Sequence, residues 1–359
     1  MKKTLALILA AVMALSLVAC AKTPANGGTE AKGSVYYLNF KPEADQAWQA
    51  LAKTYTEKTG VEVKVVTAAS GQYDTMLTSE LDKSAPPTMF QVGNQGAVNS
   101  YGDFCYPLDN TDVMKEMTTQ DFNLKNANGE TVSIGYCYEA FGIIVNKALL
   151  KQAGYEITDI TNFETLKKVA DDIHSRAAGL EGSSSWRFSG HLANMPLFYE
   201  FRDDKVTSQP AAIKGTYLDA FKNVWDLYTT DSATTGAALT TATGDASEAE
   251  FGQGKAVFYQ NGTWEYSNLT GTFGMNPEDL AMIPIYCGVE GEEQSGLCCG
   301  TENCWAVNKN AKEEDIQATL DFMKWVVTSD EGTTMLAEQF GPCPFKNAKT
   351  PENVFFADA

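Results

Sequence analysis

Three short strand-like runs alternate with two helix-like segments between Val35 and Val92, and this alternation restricts the fold more than any other feature of the chain. Val35-Tyr36-Tyr37-Leu38-Asn39-Phe40 is β-branched and aromatic, the composition of a strand. In the following segment, Pro42 to Lys58, Trp48, Leu51, Ala52 and Tyr55 fall on one helical face, and Gly60 supplies a stop. Val61, Val63 and Val65 alternate as a strand does, and Tyr73 to Leu81 reads as a helix closed by Pro86-Pro87. Thr88 to Val92 is a short buried strand ending at Gly93-Asn94-Gln95-Gly96. Such a rhythm calls for a parallel sheet covered by helices, an α/β domain. Ligands of these sheets bind beyond the carboxyl ends of the strands. The loops Asn39-Phe40-Lys41 and Gly93-Asn94 sit at those ends.

The remainder continues in the same style. Asn128-Gly129 signals a hairpin turn, and Val132 to Val145 is apolar and strand-like. Thr161 and Glu164 form a capping box for a helix carrying Phe163, Leu166, Val169 and Ile173 on one face. Tyr217, Phe221, Val224, Trp225 and Tyr228 line another helix, and Ala281 to Tyr286 is a short strand. Ile316, Leu320, Met323 and Val327 mark an amphipathic helix over Lys312 to Val327. These aromatic and methionine stripes read as core packing. No internal repeat is present, and 359 residues are enough for two domains.

The first residues are of another kind. Lys2 and Lys3 precede an apolar run from Leu5 to Leu17, and small Ala19 stands before Cys20. That is the layout of a secretory signal peptide over residues 1–19, too short to span a membrane, which needs roughly 20 apolar residues. The ending Leu17-Val18-Ala19-Cys20 resembles the lipobox of bacterial lipoproteins. That resemblance implies cleavage before Cys20, lipidation of its thiol and a place outside the cytoplasm at the cell membrane. Residues 20–33 then read as the lipidated cysteine and a flexible tether, with a typical reach of roughly 20 Å. A formal net charge of -19 excludes nucleic acid as a partner and gives no electrostatic hold on anionic lipid. The cysteines after Cys20 are odd in number and include no CxxC pair; with only two histidines a zinc site is not expected, and most of these thiols read as small buried residues, with room for one disulfide in an exported chain.

The most specific stretch is Phe251-Gly252-Gln253-Gly254-Lys255-Ala256-Val257-Phe258-Tyr259-Gln260-Asn261-Gly262-Thr263-Trp264: a helix end, a glycine stop, a strand, and a glycine turn presenting a tryptophan. It resembles the signature of family 1 extracellular solute-binding proteins of ABC importers, of which maltose-binding protein is a member. Glu139 to Leu150, Gly300 to Lys309, and Phe322 to Trp325 with Asp330-Glu331-Gly332 resemble further family segments in the expected order. The resemblance covers about residues 34–345. It implies a type II two-lobed α/β fold, each lobe a mostly parallel sheet flanked by helices, with ligand in the cleft between. Lobe 1 is expected at 34–138 plus 284–330 and lobe 2 at 141–281 plus 331–359, with crossings near Tyr138-Phe141 and Met282-Pro284. Family members continue past the Gly341-Pro342 region with further helices of the second lobe, so a chain stopping at Ala359 is expected to lack part of it.

A sugar presents an apolar C–H face and a ring of hydroxyls, so its site needs an aromatic plate and directional polar groups. Trp264 is the candidate plate; packing in the second lobe's core is the alternative. Trp186, Arg187, Phe188 and His191 follow a Gly/Ser loop, where rings stack and Arg or His bonds hydroxyls, or where all of them pack as ordinary loop residues. Asn39, Lys41, Glu43 and Asn94 occupy strand-end loops, and Glu139 a crossing strand, where its carboxylate needs a ligand hydroxyl or a structural arginine as partner. Thr301 and Glu302 resemble a family position near ligand. No nucleophile elbow, Walker loop or zincin motif occurs, so no catalytic residue, cofactor or metal is expected. The resulting expectation is a lipid-anchored binding component that takes a mono- or oligosaccharide and hands it to the membrane permease subunits of an ABC importer. The alternatives are a binder of a cationic or peptide solute and a surface glycoside hydrolase, whose paired carboxylates are spaced in three dimensions and not in sequence.

Overall fold

The computed structural model describes residues 32–177, 181–182, 191–206 and 210–358. The signal peptide and most of the tether fall outside the described residues. Two sheets organise the rest. The first begins with β1 (Val35–Asn39), α1 (Asp45–Thr59), β2 (Val63–Thr67), α2 (Tyr73–Leu81) and β3 (Met89–Gln91), followed by α3 (Gln95–Tyr101) and α4 (Asp112–Lys115). β4 (Leu124–Lys125) and β5 (Thr131–Gly135) add a hairpin, and β11 (Cys304–Val307) enters from far along the chain, giving the order β2-β1-β3-β11-β5-β4. α1 ends where Gly60 adopts φ 72°, a left-handed conformation glycine takes without steric cost, and its N–H closes on Thr56 O.

Both faces of this sheet are covered, so its central strands β1, β3 and β11 read as near-continuous apolar runs. Val35, Tyr37, Met89 and Trp305 face Trp48 and Tyr55 of α1, together with α11 (Glu313–Thr328) and α12 (Asp330–Gln339). Leu38, Phe90 and Ala306 face Leu77 of α2 and Val98 of α3. Trp48 meets Tyr37, Tyr136 and Trp305 edge-on, and Tyr136 stacks on Trp305 at 4.1 Å. Each such side chain, fully buried, contributes roughly 1.5–3 kcal/mol. Tyr136 is thereby fixed at the point where the chain leaves the first sheet.

The second sheet is centred on β6 (Glu139–Asn146). It is paired with β8 (Phe258–Gly262), β9 (Leu280–Ile283) and β10 (Cys298–Gly300), and β7 (Glu181–Gly182) lies beside β8. α5 (Lys147–Gln152) follows β6. Ile143, Val145 and Phe258 face α6 (Phe163–Ala177), α7 (His191–Asp203) and α8 (Leu218–Thr230). Ala140, Ile144 and Tyr259 face Phe251 of α9 (Gly244–Gly252), Leu269 of α10 (Tyr266–Gly271) and Phe355 of α13 (Phe355–Asp358).

Several expectations change. The apolar run Val132 to Val145 is two strands in different sheets, broken at Tyr136-Cys137-Tyr138. Among the described residues, β1–β2, β1–β3 and β7–β8 pair in parallel and the other strand pairings are antiparallel. The Asn128-Gly129 turn forces β4 against β5, and β11 enters the first sheet running opposite to β3. The cap of α6 lies one residue on: Asn162 Oδ1 accepts from Thr165 N at 2.9 Å, and Thr165 Oγ1 from Asn162 N at 3.1 Å. The chain does not return to the first sheet at Met282-Pro284. Ile285, Tyr286, Cys287 and Val289 stay in the second core, and the return falls between β10 and β11. Met335, Leu336, Phe340 and Phe345 pack in the first core, whereas the sequence assigned everything past 331 to the second lobe; Phe355 does reach the second sheet. Trp225 points outward from α8. No described helix is long and apolar enough to cross a membrane. Cys105, Cys137, Cys287, Cys298, Cys299, Cys304 and Cys343 are free thiols, and burial pushes Cys105, Cys287 and Cys304 up to about 12.

Candidate functional site

The loop after β1 carries the first half of the site. Asn39 is fully buried and its amide is spent on the loop itself. Nδ2 donates to Lys41 O at 2.8 Å and to Thr67 Oγ1 at 3.0 Å, while Oδ1 accepts from Lys41 N at 3.1 Å. Asn39 therefore fastens the turn that aims Lys41 and offers a ligand little. Lys41 is 7% exposed. Its ammonium pairs with Glu139, the first residue of β6, and stands 3.5 Å from Glu43 Oε1. The same ammonium lies over two rings, Trp264 at 5.3 Å and Phe40 at 5.6 Å. Burial pulls the lysine down, but Glu139 and Glu43 outweigh it and hold the ammonium above its ordinary value. The carboxylate partner that Glu139 requires is thus a lysine from the first sheet's loop.

The second half comes from β8 and the start of α7. β8 ends at Gly262, and the Trp264 ring folds back over that glycine: a Cβ there would lie 2.2 Å from the indole Cζ3. Trp264 remains partly open to solvent, as a plate must. His191 heads α7, stacks flat on Phe141 at 4.0 Å and 15°, and meets Trp264 edge-on at 5.8 Å. Gln260 Nε2 donates to His191 Nδ1 at 2.9 Å and to Gly142 O at 3.2 Å. Asn261 donates to the Tyr259 hydroxyl and, at 2.6 Å, to Glu265 Oε1, which fixes the turn from beneath.

The remaining candidates divide. Asn94 Oδ1 caps α3 by accepting from Ala97 N at 2.9 Å, and Thr301 Oγ1 accepts from Asn303 N at 2.8 Å; both groups serve local turns. Glu302, between β10 and β11, lies against the Gly93 backbone, and its carbonyl accepts from Gln91 Nε2 at 2.5 Å. Solvent reaches the Glu302 side chain, yet protein crowds its carboxyl. That crowding raises the carboxyl above its usual range; the negative charge of Glu139 adds to the rise and Lys41 opposes it. Lys41, Glu43, Glu139, Trp264 and His191 therefore form one contiguous group, with Glu302 in its field. Trp186, Arg187, Phe188 and Cys20 lie outside the described residues.

The sequence missed Phe40, Phe141 and Gln260 as site residues. Phe141 carried a signal, being an aromatic residue two positions after a carboxylate and so on the same side of the crossing strand, and Phe40 lay inside a loop already singled out. Gln260 carried a weaker one, a polar residue within an apolar strand. Among the described residues no cluster of His, Cys, Asp or Glu could hold a metal ion. Aromatic faces beside a lysine and several carboxylates suit a polar organic molecule with an apolar face.

A protein-family profile described as "Bacterial extracellular solute-binding protein" matches residues 50–357. No protein with a curated description matches. Among solved structures, the solute-binding protein RafE in complex with raffinose is 16% identical, with a TM-score of 0.72 over 88% of this chain and 83% of that one. BlMnBP1, the binding protein of an ABC transporter from Bifidobacterium animalis subsp. lactis in complex with mannobiose, is 18% identical, with a TM-score of 0.68 over 94% and 82%. A chitin oligosaccharide binding protein is 16% identical, with a TM-score of 0.69 over 90% and 85%. At these identities the likeness is one of fold, the two-sheet α/β architecture described above.

Proposed function

The chain belongs to the bacterial extracellular solute-binding proteins, and from that premise we propose that it binds a mono- or oligosaccharide between its two sheets and delivers it to the permease subunits of an ABC importer. In this reading each sheet with its helices is a lobe. One observation carries it: Lys41, from the first sheet's loop, stands over Trp264, from the second sheet's turn. That places an aromatic plate and charged hydrogen-bonding groups from both sheets at one point, which is what a sugar's apolar face and hydroxyls require. The similar folds titled with raffinose, mannobiose and chitin oligosaccharide support the same class of ligand. Trp264 and Phe141 are the stacking surfaces, Lys41 and His191 the donors, and Glu43, Glu139 and Glu302 the acceptors. Trp186 and Arg187, a few residues before His191, belong to the proposed set. A lipid on Cys20 holds the protein at the outer face of the cell membrane, which the leader pattern supports.

Thermal shift and isothermal titration against a panel of glycans test the binding role. A bound glycan at 100 times its dissociation constant stabilises the fold by about 2.7 kcal/mol, and chromatography afterwards finds it intact. Cleaved product assigns a hydrolase instead, and a panel with no shift removes the sugar reading. Mass spectrometry of the membrane fraction tests the anchor: the mature chain begins at a diacylated Cys20, and a different unlipidated start overturns that part.

A further inference from the structure

Gln260 is out of place in β8 by polarity alone. Residues two apart on a strand share a face, and Phe258, on the face of Gln260, packs in the second core with Leu192 and Met195 of α7. An apolar side chain at 260 would continue that core. A glutamine stands there instead, 3% exposed, against His191 at the head of α7.

Its amide has one workable orientation. Gln260 Nε2 lies 3.2 Å from Gly142 O and 2.9 Å from His191 Nδ1. Gly142 O can only accept, and the pairing of β6 with β8 and β9 holds that carbonyl in place. Turning the amide over would set Oε1 against Gly142 O, acceptor against acceptor. The nitrogen therefore faces the histidine, and an amide nitrogen only donates. His191 Nδ1 must accept, so it carries no hydrogen, and the ring's hydrogen sits on Nε2. A proton on Nδ1 would oppose donor to donor. The arrangement is destabilising at one atom: Gln260 Oε1 is buried with no donor, so it loses its water and gains no partner. An alkyl chain carries no such penalty, so the donors of this amide are what distinguish it from core filler.

The imidazole is held in other directions too. Its ring lies flat on Phe141 at 4.0 Å and meets Trp264 edge-on at 5.8 Å. His191 is partly open to solvent while Gln260 is buried, so the open edge is the one away from Gln260, which bears Nε2.

We propose that Gln260 is a positioning residue for the ligand: its hydrogen bond holds His191 neutral with the hydrogen on Nε2, and so makes this edge of the site a donor beside the Trp264 plate. The saccharide then presents an oxygen acceptor at that point, a hydroxyl, ring or bridging oxygen. The ligand's part rests on the sugar-binding reading above; the state of the ring is a property of the protein alone.

Nitrogen-15 NMR of the ring tests this without any ligand. The chain holds two histidines, His174 and His191, and His191→Phe, which keeps a ring to lie on Phe141, identifies the signals of each. In the parent near neutral pH, His191 should show a pyridine-type Nδ1 and a pyrrole-type Nε2, with a scalar coupling from Gln260 Nε2 to Nδ1 across the hydrogen bond. Gln260→Met, similar in length but with no donor, should turn this into a mixture of both tautomers. With a glycan found to bind the parent, Gln260→Met should weaken affinity about three- to tenfold, the scale of one hydrogen bond. In the His191→Phe background the same change should cost almost nothing, because the effect passes through the histidine. A hydrogen on Nδ1 in the parent, whether as the other tautomer or as imidazolium, overturns the proposal, and the parent spectrum decides this even if the variants fold poorly. An unchanged tautomer in Gln260→Met overturns the role of Gln260. An equal loss of affinity in both backgrounds assigns Gln260 to structure instead. If no glycan binds, the sugar reading falls and the donor role with it, while the state of the ring still stands or falls by its spectrum.

Discussion

Gly262 has an extended backbone, φ -125° and ψ 178°, which any residue adopts. Its lack of a side chain matters because the Trp264 ring occupies the place where a Cβ would go. Gly262→Ala must therefore push the indole away from its seat. Calorimetry on this variant should show a loss of ligand affinity close to that of Trp264→Ala, about 1.5–3 kcal/mol for a large apolar contact, while the circular-dichroism spectrum stays native. Undiminished affinity in both variants would falsify the plate. What was legible is that Trp264 follows a glycine turn at a strand end, and it does stay partly open to solvent; its role as a plate is what these variants test. The roles of Asn39 and Asn94 were not legible. An asparagine at a strand end looks the same in sequence whether its amide serves its own backbone or a ligand, and here one fastens the Lys41 turn and the other caps a helix. The Lys41–Glu139 pair joins positions far apart in the chain, so no spacing rule could have revealed it.

At the scale of elements, helical periodicity located α1, α6, α8 and α11, because a stripe of apolar residues is a local property. The direction and partner of each strand are not local. β9, β10 and β11 are short, and their placement depends on which core their neighbours fill, which explains why the expected return at Met282-Pro284 came later. Contacts between elements also set a pH dependence. Glu200 of α7 is 3% exposed and accepts from Lys214 N and Thr216 N, both at 2.8 Å, tying α7 to the segment entering α8. The Lys214 backbone donor leads in lowering its carboxyl; burial opposes it, and the Thr216 donor adds to the fall. A carboxyl lowered by folding contributes stability above its unfolded value, near 4.5, and loses it as pH falls through the folded value. Urea denaturation over a pH series should find Glu200→Gln less stable than the parent at neutral pH, with the gap closing below about pH 4.5. A gap independent of pH assigns the loss to packing instead.

For the whole molecule, the segments between the sheets decide which motions are available. Tyr136-Cys137-Tyr138 joins β5 to β6, and residues 301–303 join β10 to β11. The tail runs back between the cores, Tyr138 N donating to Pro342 O at 2.8 Å and Asn353 Nδ2 to Thr263 O at 3.0 Å. Sheets joined by several short segments rotate about them more readily than they slide, the hinge type of domain closure. Lys41 pairs with Glu139 at the edge of that hinge and touches Trp264 across the gap. Opening the cleft must break the second contact, worth about 0.5–2 kcal/mol as a cation–π interaction. That is small enough to leave open and closed forms close in free energy, so a ligand touching both sheets can shift the balance. Small-angle scattering should therefore give a smaller radius of gyration with saturating sugar than without. Lys41→Met, which keeps the stem and removes the charge, should move the unliganded protein toward the open form, by up to roughly 5–30-fold in population at 1–2 kcal/mol. The difference between its free and ligand-saturated profiles should exceed that of the parent. If the parent's profiles coincide at saturation, the two sheets do not move as lobes; if only the Lys41→Met profile matches its parent, the contact over Trp264 is no latch.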